Sequence, residues 1–258
     1  MDYLFLNLGF EFIKKDGSIA KIEDLKDVKQ ELDLWTGMIK SSFTLESVPV
    51  AVETMVHPNQ DMIAVKVKST LLQKQRIYLK LNFPFPTNAF ADMGVDYTHR
   101  NNHLSTATDF QKGILFQHQL DSTRYFVNLQ SNASLQWKEK KVHEFVIAAS
   151  ASNELSFTCH FQQKASVSAA PDYATVAIAN QIAWQGFWTK GAAVDFSHCK
   201  DPRAKEIERR MMLSLYLTRI QCANSQPPQE TGLTYNSWFG KPHLEMHWWH
   251  GVHFPLWN

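Results

Sequence analysis

The chain has 258 residues, which is enough for one large all-β domain or for two smaller units. Its 26 basic and 25 acidic residues give a formal net charge of +1, so no charge excess favours a nucleic acid or an anionic membrane as partner. Charged residues make up 20% and aromatic residues 12% of the chain, a balance typical of a folded protein with large apolar contacts.

Cysteine usage and the first residues give little information about the compartment. Cys159, Cys199 and Cys222 are too few and too scattered for a disulfide framework, and we expect them to be small buried apolar side chains. Residues 1–6 lack the basic and long apolar regions of a signal peptide, and no later run approaches about 20 apolar residues. We expect no membrane span. An export signal upstream of these residues, and an exported or periplasmic location of the full-length protein, stay open.

Apolar and polar side chains alternate from about residue 3 to residue 163, which predicts antiparallel strands with one buried face. The alternation is clearest in three runs, 63–67, 77–83 and 155–161. Turn signals at Asp16-Gly17 and Thr36-Gly37 separate such runs, as hairpins require. We therefore predict a mainly β protein with an antiparallel β-sandwich, or supersandwich, over residues 1–165.

Residues 84–112 interrupt this pattern, because they are polar, rich in Pro, Asn and His, and without a sustained period. The segment is predicted to be a long irregular connection, and structureless loops longer than about 12–15 residues usually have a function or are disordered. Its residues from Arg100 to His103 could reach a ligand, and a mobile surface loop is the other interpretation.

Helical spacing begins after Lys164. Pro171 suits a first helical turn, and apolar residues then recur at helical spacing, namely Ala174, Ile178, Ile182 and Trp188. We predict a linker helix within residues 166–200.

A second helix is predicted to start at Asp201 as N-cap, with Pro202 next. Its run from Met211 to Ile220 is apolar on nearly every side, which predicts burial among other helices. One more helical run, around 243–254, follows, so residues 201–258 are predicted to be the start of a helical domain that the chain does not complete.

The last 35 residues combine aromatic, imidazole and carboxylate side chains more densely than any other part of the chain. The residues concerned are Trp238, Trp248, Trp249, Trp257, His243, His247, His250, His253, Glu230 and Glu245. A sugar offers C–H faces to aromatic rings and hydroxyls to polar groups, so this mixture favours a carbohydrate site. In the alternative interpretation the tryptophans form a helical core and the histidines are satisfied buried groups. We expect that role for Trp257 and Val252.

The histidine spacing also raises the possibility of zinc. His243 and His247 lie four apart and His250 three further on, so imidazoles could share a helix face beside Glu245. However, the order His-Leu-Glu-Met-His is not the His-Glu-x-x-His arrangement of zinc proteases, and no Gly-x-Ser-x-Gly elbow supports serine chemistry. We assign no metal and no cofactor.

Residues 235–250, Tyr-Asn-Ser-Trp-Phe-Gly-Lys-Pro-His-Leu-Glu-Met-His-Trp-Trp-His, follow a sandwich and a linker helix. This order resembles the six-hairpin (α/α)6 glycosidases, most closely family 65 of the glycoside hydrolases and its relatives. In that family the corresponding loop carries an aromatic-Asp-Thr-Glu stretch that holds the sugar at the cleavage subsite. The match places Glu245 on its glutamate and His243 where the aspartate would be. This departure leaves open the substrate and the choice between hydrolysis and phosphorolysis.

The resemblance implies that residues 201–258 are the start of an (α/α)6 catalytic barrel. It assigns substrate binding to five residues, Asn236, Trp238, Lys241, His243 and Glu245, with Glu230 as a weaker candidate. Glycoside cleavage needs a carboxylic acid to protonate the leaving oxygen, and in the family it lies on a later barrel helix. We therefore expect the N-terminal part of a glycoside hydrolase that is inactive alone and self-associates through exposed barrel helices. A carbohydrate phosphorylase of similar fold and a non-catalytic carbohydrate-binding or structural protein are the alternatives.

Overall fold

A computed structural model describes residues 6–111, 113–223 and 226–256. The strands are β1 (Asn7–Phe12), β2 (Leu25–Asp33), β3 (Met38–Leu45), β4 (Val48–Val56), β5 (Met62–Lys68), β6 (Ile77–Asn82), β7 (Ala91–Asp92), β8 (His103–Phe110), β9 (Gly113–Leu120), β10 (Thr123–Ser131), β11 (Leu135–Lys141), β12 (Glu144–Ala149), β13 (Glu154–Gln162) and β14 (Asn236–Ser237). The helices are α1 (Tyr173–Phe187), α2 (Ala204–Cys222) and α3 (Leu244–Gly251). The chain divides into two compact units. The sandwich unit comprises residues 6–85 and 97–183, and the helical unit comprises 86–96 and the described residues from 184 onward.

Two antiparallel sheets form the sandwich unit, which confirms the predicted mainly β fold class. One sheet has the order β1-β6-β12-β11, and the other has the order β2-β3-β4-β5-β13-β10-β9-β8. The inward-facing side chains of both sheets form one apolar core, in which the largest fully buried residues include Phe83, Phe116, Phe145, Leu79, Leu81, Ile114 and Leu129. The ring of Phe116 lies 5.9 Å from that of Phe83 and 5.1 Å from that of Phe145, so aromatic contacts cross between the sheets.

The prediction of an irregular connection over residues 84–112 is wrong in part: residues 84–102 are irregular apart from β7 and a 3₁₀ turn, whereas residues 103–110 form β8. β8 is the edge strand of the larger sheet and pairs with β9 from His103↔Leu120 to Phe110↔Gly113. Its inward positions include His103, Ser105 and Ala107, so the strand carries almost no hydrophobic alternation. Arg100 lies in a 3₁₀ turn, and its guanidinium donates a hydrogen bond to the carbonyl of Val142. Its side chain is therefore bound within the sandwich unit rather than part of a free loop.

The first helix, α1, lies where the apolar spacing predicts it, but the buried face of the helix differs from the predicted one. Val176 and Asn180 are almost fully buried, whereas Ile178 is 62% and Ile182 65% exposed. The Asp172 carboxylate accepts the N–H of Thr175 at 2.9 Å and so caps the helix start. The buried stripe Val176-Asn180-Trp184-Trp188 repeats every four residues and contains a polar member, which is why hydrophobic spacing selected the other face.

Further expectations are corrected by the start of α2 and by burial. Asp201 accepts the N–H of Arg203 at 2.8 Å, but α2 begins at Ala204 with Arg203 as its N-cap, so the predicted N-cap is wrong by two residues. Leu215 and Tyr216 are the buried residues of the run 211–220, and the rest are half-buried or exposed. Cys159 is buried, whereas Cys199 is exposed and Cys222 is half-buried. Val252 is 41% exposed, and Trp257 lies outside the described residues. None of the helices described is both long enough and apolar enough to cross a bilayer.

Candidate functional site

Two glutamine side chains hold the segment that follows α2. Gln221, near the end of α2, accepts the backbone N–H groups of residues 233–234 at 2.9 and 3.2 Å through its side-chain oxygen. Gln229 is 2% exposed; its Nε2 donates to the carbonyl of Gly232, and its Oε1 accepts the N–H of Ser237 at 3.4 Å. Side-chain amides therefore take the place of backbone pairing, and they fix the chain that leads into β14.

β14 pairs with β7, which brings Asn236 opposite Asp92. The Asp92 carboxylate accepts the Thr87 hydroxyl and the Gly94 N–H, the latter at 2.8 Å, and Asn236 Nδ2 lies 3.4 Å from Asp92 Oδ1. Desolvation raises the pKa of Asp92, but the hydrogen bonds from Thr87, Gly94 and Asn236 outweigh it, so the net pKa is lowered. Asp92 is therefore an ionised group that orients the amide of Asn236.

Three consecutive residues after β14 have left-handed backbone conformations: Trp238 (φ +50°), Phe239 (φ +57°) and Gly240 (φ +64°). Such conformations are rare for bulky side chains and cost about 1–3 kcal/mol each, and they cluster at ligand-binding sites. Here the turn is closed by the Phe239 N–H, which donates to the Phe90 carbonyl at 3.2 Å. Its result is that two adjacent aromatic side chains both project outward, Trp238 at 52% and Phe239 at 44% exposure.

These rings form an exposed aromatic surface with Phe90 and His243, which we call the aromatic platform (Phe90, Trp238, Phe239 and His243). Phe90 meets Trp238 edge-to-face at 4.8 Å and Phe239 at 5.6 Å between ring centroids. The His243 ring is nearly parallel to the Trp238 ring, at 15° and 6.4 Å. Aromatic rings left in water cost free energy, so a ligand with apolar faces would be stabilised here.

Among the charged candidate residues, Lys241 is the one that a described contact places beside the platform. The Lys241 ammonium lies 5.9 Å from the centroid of the Phe239 ring. Glu245, in the first turn of α3, is exposed, and its carboxylate accepts Trp249 Nε1 at 3.4 Å. Glu230 is half-buried in the turn after Gln229. The structure thus joins Asn236, Trp238, Lys241 and His243 in one region, and it gives Glu245 a partner on its own helix.

The shared helical face predicted for the histidines is wrong in part. His243 precedes α3 and has an extended backbone, with φ −126° and ψ +118°, so only His247 and His250 lie on the helix. Within the described ranges, no three His, Cys, Asp or Glu residues are grouped so that they could hold a metal ion.

Sequence reasoning missed Phe90 and Asp92. Both lie about 145 positions before the residues they contact, inside the segment predicted to be irregular. The signal that could have found them is the turn Asp92-Met93-Gly94, since Gly94 has a φ of +71° and its N–H is bound by the Asp92 side chain.

A second polar cluster lies inside the sandwich unit. His118 is 1% exposed; its Nδ1 lies 2.7 Å from the Tyr125 hydroxyl and its Nε2 2.7 Å from His103 Nδ1. His143 lies 2.6 Å from the Ser105 hydroxyl and, through Nε2, donates to the Arg100 carbonyl. Burial, reinforced by the neighbouring histidines, lowers the pKa of His103 to about 4 and that of His118 to about 3. His103 and His118 are thus neutral and hydrogen-bonded, as expected of structural groups.

Neither a protein-family model nor a curated protein matches the chain. Among solved structures, the crystal structure of a bacterial glucoamylase complexed with acarbose is similar, with a TM-score of 0.54 and 11% identical residues. The similarity covers 83% of this chain and 34% of the glucoamylase chain, so this chain spans about a third of that protein's length. The likeness is one of fold.

Proposed function

We propose that this chain is the N-terminal part of a glycoside hydrolase of the six-hairpin type, resembling family 65, and that the aromatic platform holds a sugar ring of its substrate. The observation that carries the proposal is the left-handed turn at residues 238–240, which keeps two aromatic rings exposed beside polar groups. The fold likeness to a glucoamylase solved with acarbose supports the same substrate class.

The chemistry of the platform suits a pyranose. The face of Trp238 offers a flat apolar surface for C–H groups, and the nearly parallel His243 ring adds a polar edge. Asn236 Nδ2 is 3.4 Å from both of its acceptors, the Ala89 carbonyl and Asp92, so these bonds are long and can be exchanged for a sugar hydroxyl. Lys241 supplies a donor beside the Phe239 ring, and we assign Glu245, two residues after His243, as an acceptor for the same sugar.

The acid that protonates the leaving oxygen is assigned to a part of the protein outside these 258 residues. Asp92 does not suit that role, because its carboxylate is ionised and its oxygens accept hydrogen bonds from Thr87 and Gly94. The boundaries 1–165, 166–200 and 201–258, with the last part as the start of an (α/α)6 barrel, belong to this proposal. So does the self-association of the isolated chain.

The test compares the 258-residue chain with the full-length protein. We expect the chain to bind acarbose and maltose weakly without cleaving them, and the full-length protein to release sugar. Trp238→Ala should weaken binding about tenfold or more, since the contact of a sugar ring with the Trp238 face is expected to contribute about 1–2 kcal/mol. Trp35→Ala is the matched control, because Trp35 is 47% exposed on a hairpin of the sandwich unit.

The outcomes separate the alternatives. Unchanged binding in both Trp238→Ala and Glu245→Gln would refute the site, and turnover by the isolated chain would refute the placement of the acid. Release of a sugar phosphate by the full-length protein in the presence of inorganic phosphate would identify a phosphorylase instead. Binding without turnover by the full-length protein would identify a non-catalytic carbohydrate-binding protein.

A further inference from the structure

A cavity of about 290 Å³ lies in the helical unit, between the C-terminal part of α2 and α3. Its lining includes Phe187, Arg219, Cys222, His247, His250 and Phe254. It shares no lining residue with the aromatic platform, and no carboxylate is among the residues that line it. The polar groups at this cavity are therefore a guanidinium, two imidazoles, a thiol and a threonine hydroxyl.

Arg219 is held at the cavity by aromatic stacking. Its guanidinium carbon lies 4.8 Å from the centroid of the Trp184 ring and 4.5 Å from that of Phe187. Within residues 6–111, 113–223 and 226–256, no Asp or Glu forms an ion pair with it. Stacking occupies the faces of a guanidinium but not its five N–H groups, which lie in the plane and need acceptors.

His250 supplies an unsatisfied polar atom beside Arg219 in the lining of the cavity. Its Nδ1 is buried and has no hydrogen-bond partner in the described structure. A buried polar atom without a partner costs about 1–3 kcal/mol, so a ligand atom that bonds to it would be stabilised. Burial raises the pKa of the Cys222 thiol, which keeps that side chain neutral and adds no negative charge to the cavity.

We propose that this cavity binds a phosphate group, either as inorganic phosphate or as part of a phosphomonoester. Phosphate is an acceptor-rich anion that matches a guanidinium without a carboxylate partner, and charge-assisted Arg–phosphate bonds are among the stronger hydrogen bonds in proteins. The volume is near the lower end of the range for ligand pockets, about 300 Å³, so a phosphorylated small molecule fits better than an oligosaccharide.

In the test, the full 258-residue chain is titrated separately with inorganic phosphate, glucose 6-phosphate and glucuronate, and calorimetry measures the affinity for each. Chloride keeps the ionic strength constant. We expect Arg219→Gln to weaken phosphate binding tenfold or more and His250→Asn to weaken it severalfold. Arg203→Gln is the matched control, because Arg203 is exposed and paired with Asp201. Arg219→Lys keeps the charge and serves as a second variant if Arg219→Gln unfolds the chain, and it should still bind less tightly because a lysine cannot bind bidentately.

Tighter binding of glucose 6-phosphate than of inorganic phosphate would identify a phosphomonoester as the ligand, and the reverse would identify the free ion. Tighter binding of glucuronate than of either would overturn the assignment to phosphate. Equal losses in Arg219→Gln and Arg203→Gln, or unchanged binding in both Arg219→Lys and His250→Asn, would overturn the site. Because the platform contributes no residue to this cavity, Trp238→Ala should leave phosphate binding unchanged, which separates this test from that of the proposed function.

Discussion

The sandwich unit and the helical unit are stabilised in different ways. In the sandwich unit, side chains from both sheets converge on one core, and residues such as Leu81, Phe116 and Val127 are completely buried. In the helical unit, burial is confined to a few residues such as Trp188 and Tyr216, whereas Leu244, Trp248 and Trp249 are 85%, 64% and 63% exposed. Stacked rings and side-chain amides hold this unit together.

This difference in burial indicates which unit provides stability and which provides a binding surface. Apolar burial contributes roughly 25 cal/mol per Å², so the sandwich unit gains most of its stability from its own core. Exposed aromatic rings and strained backbone do the opposite, since both are unfavourable until a ligand or another surface covers them. The helical unit therefore carries the features that suit a binding surface, and the sandwich unit carries those that suit a scaffold.

The sharpest test of this comparison is Phe116→Ala in the sandwich core. Phe116 is fully buried and packs between Phe83 and Phe145, so its removal leaves a cavity that the sheets cannot fill. We expect a loss of about 3–5 kcal/mol in the free energy of unfolding, measured by urea denaturation. Leu104→Ala, at a 53% exposed position of β8, should cost less than about 1 kcal/mol. Similar losses in the two variants would contradict the placement of the core.

The second test uses a close approach of backbone to backbone. A Cβ atom on Gly113 would lie 2.0 Å from the Leu129 carbonyl oxygen, so Gly113→Ala must push β9 and β10 apart. We expect a loss of about 2–3 kcal/mol in stability, measured by thermal and urea unfolding. Gly9→Ala is the control, because a Cβ there has nothing within 4 Å. Equal stabilities of the two variants would contradict the described pairing of β9 with β10.

The buried histidines make the sandwich unit sensitive to pH. The pKa values of His103 and His118 are lowered to about 4 and about 3, whereas an unfolded histidine titrates near pH 6.5. The unfolded chain therefore binds more protons between these values, and stability, complete above about pH 6.5, falls as the pH falls towards 4. At about 1.4 kcal/mol per pH unit, His118 alone should account for a loss of about 3 kcal/mol over this range, measured by urea titrations at several pH values.

The contribution of His118 can be isolated by comparing variants. His118→Gln should flatten the pH dependence of stability between pH 4 and 6.5, whereas His198→Gln, at an exposed position, should leave its slope unchanged. An unchanged slope in His118→Gln would contradict the buried neutral network.

A smaller effect is expected in the helical unit for Gly232→Ala. Gly232 has a φ of +76°, and a Cβ there would lie 2.8 Å from Gln221 Cβ, so the substitution strains the turn that leads to the platform. We expect a stability loss of about 1–2 kcal/mol together with weaker acarbose binding. Gly186→Ala, where a Cβ meets nothing within 4 Å, should leave binding unchanged. Unchanged acarbose binding in Gly232→Ala would show that the platform does not depend on this turn.

The smallest effect on stability is expected for the double variant Leu244→Ser and Trp248→Ser. Both side chains are largely exposed, so the free energy of unfolding should change by less than about 0.5 kcal/mol. The exposed apolar surface should nevertheless promote self-association, and light scattering should give a smaller mass for the variant than for the parent chain. A strictly monomeric parent chain would refute the proposed self-association.

The sequence by itself determined the fold class and the position of several strands. Runs such as 63–67, 77–83 and 155–161 alternate because one face of each strand lies on the core, and this period is a local property that any reader of the chain can count. The starts of α1 and α2 were also marked locally, to within about three residues, by Pro171 and Asp201, since helices begin at Tyr173 and Ala204. Trp238, His243 and Glu245 were marked by the unusual composition of the last 35 residues, and the resemblance to the six-hairpin glycosidases added Asn236 and Lys241.

Only the tertiary structure decided what those local signals left undetermined. β8 was missed because its inward residues His103 and Ser105 bond to His118 of β9 and to His143 in the turn between β11 and β12, so polar partners replace the hydrophobic alternation. The buried face of α1 includes Asn180 because a carbonyl from a hairpin about 140 positions earlier accepts its amide. The β7–β14 pairing brings Phe90 to the platform and Asp92 opposite Asn236, and no local pattern encodes it. Contacts between distant segments depend on the whole fold, and for that reason they set the geometry of the site.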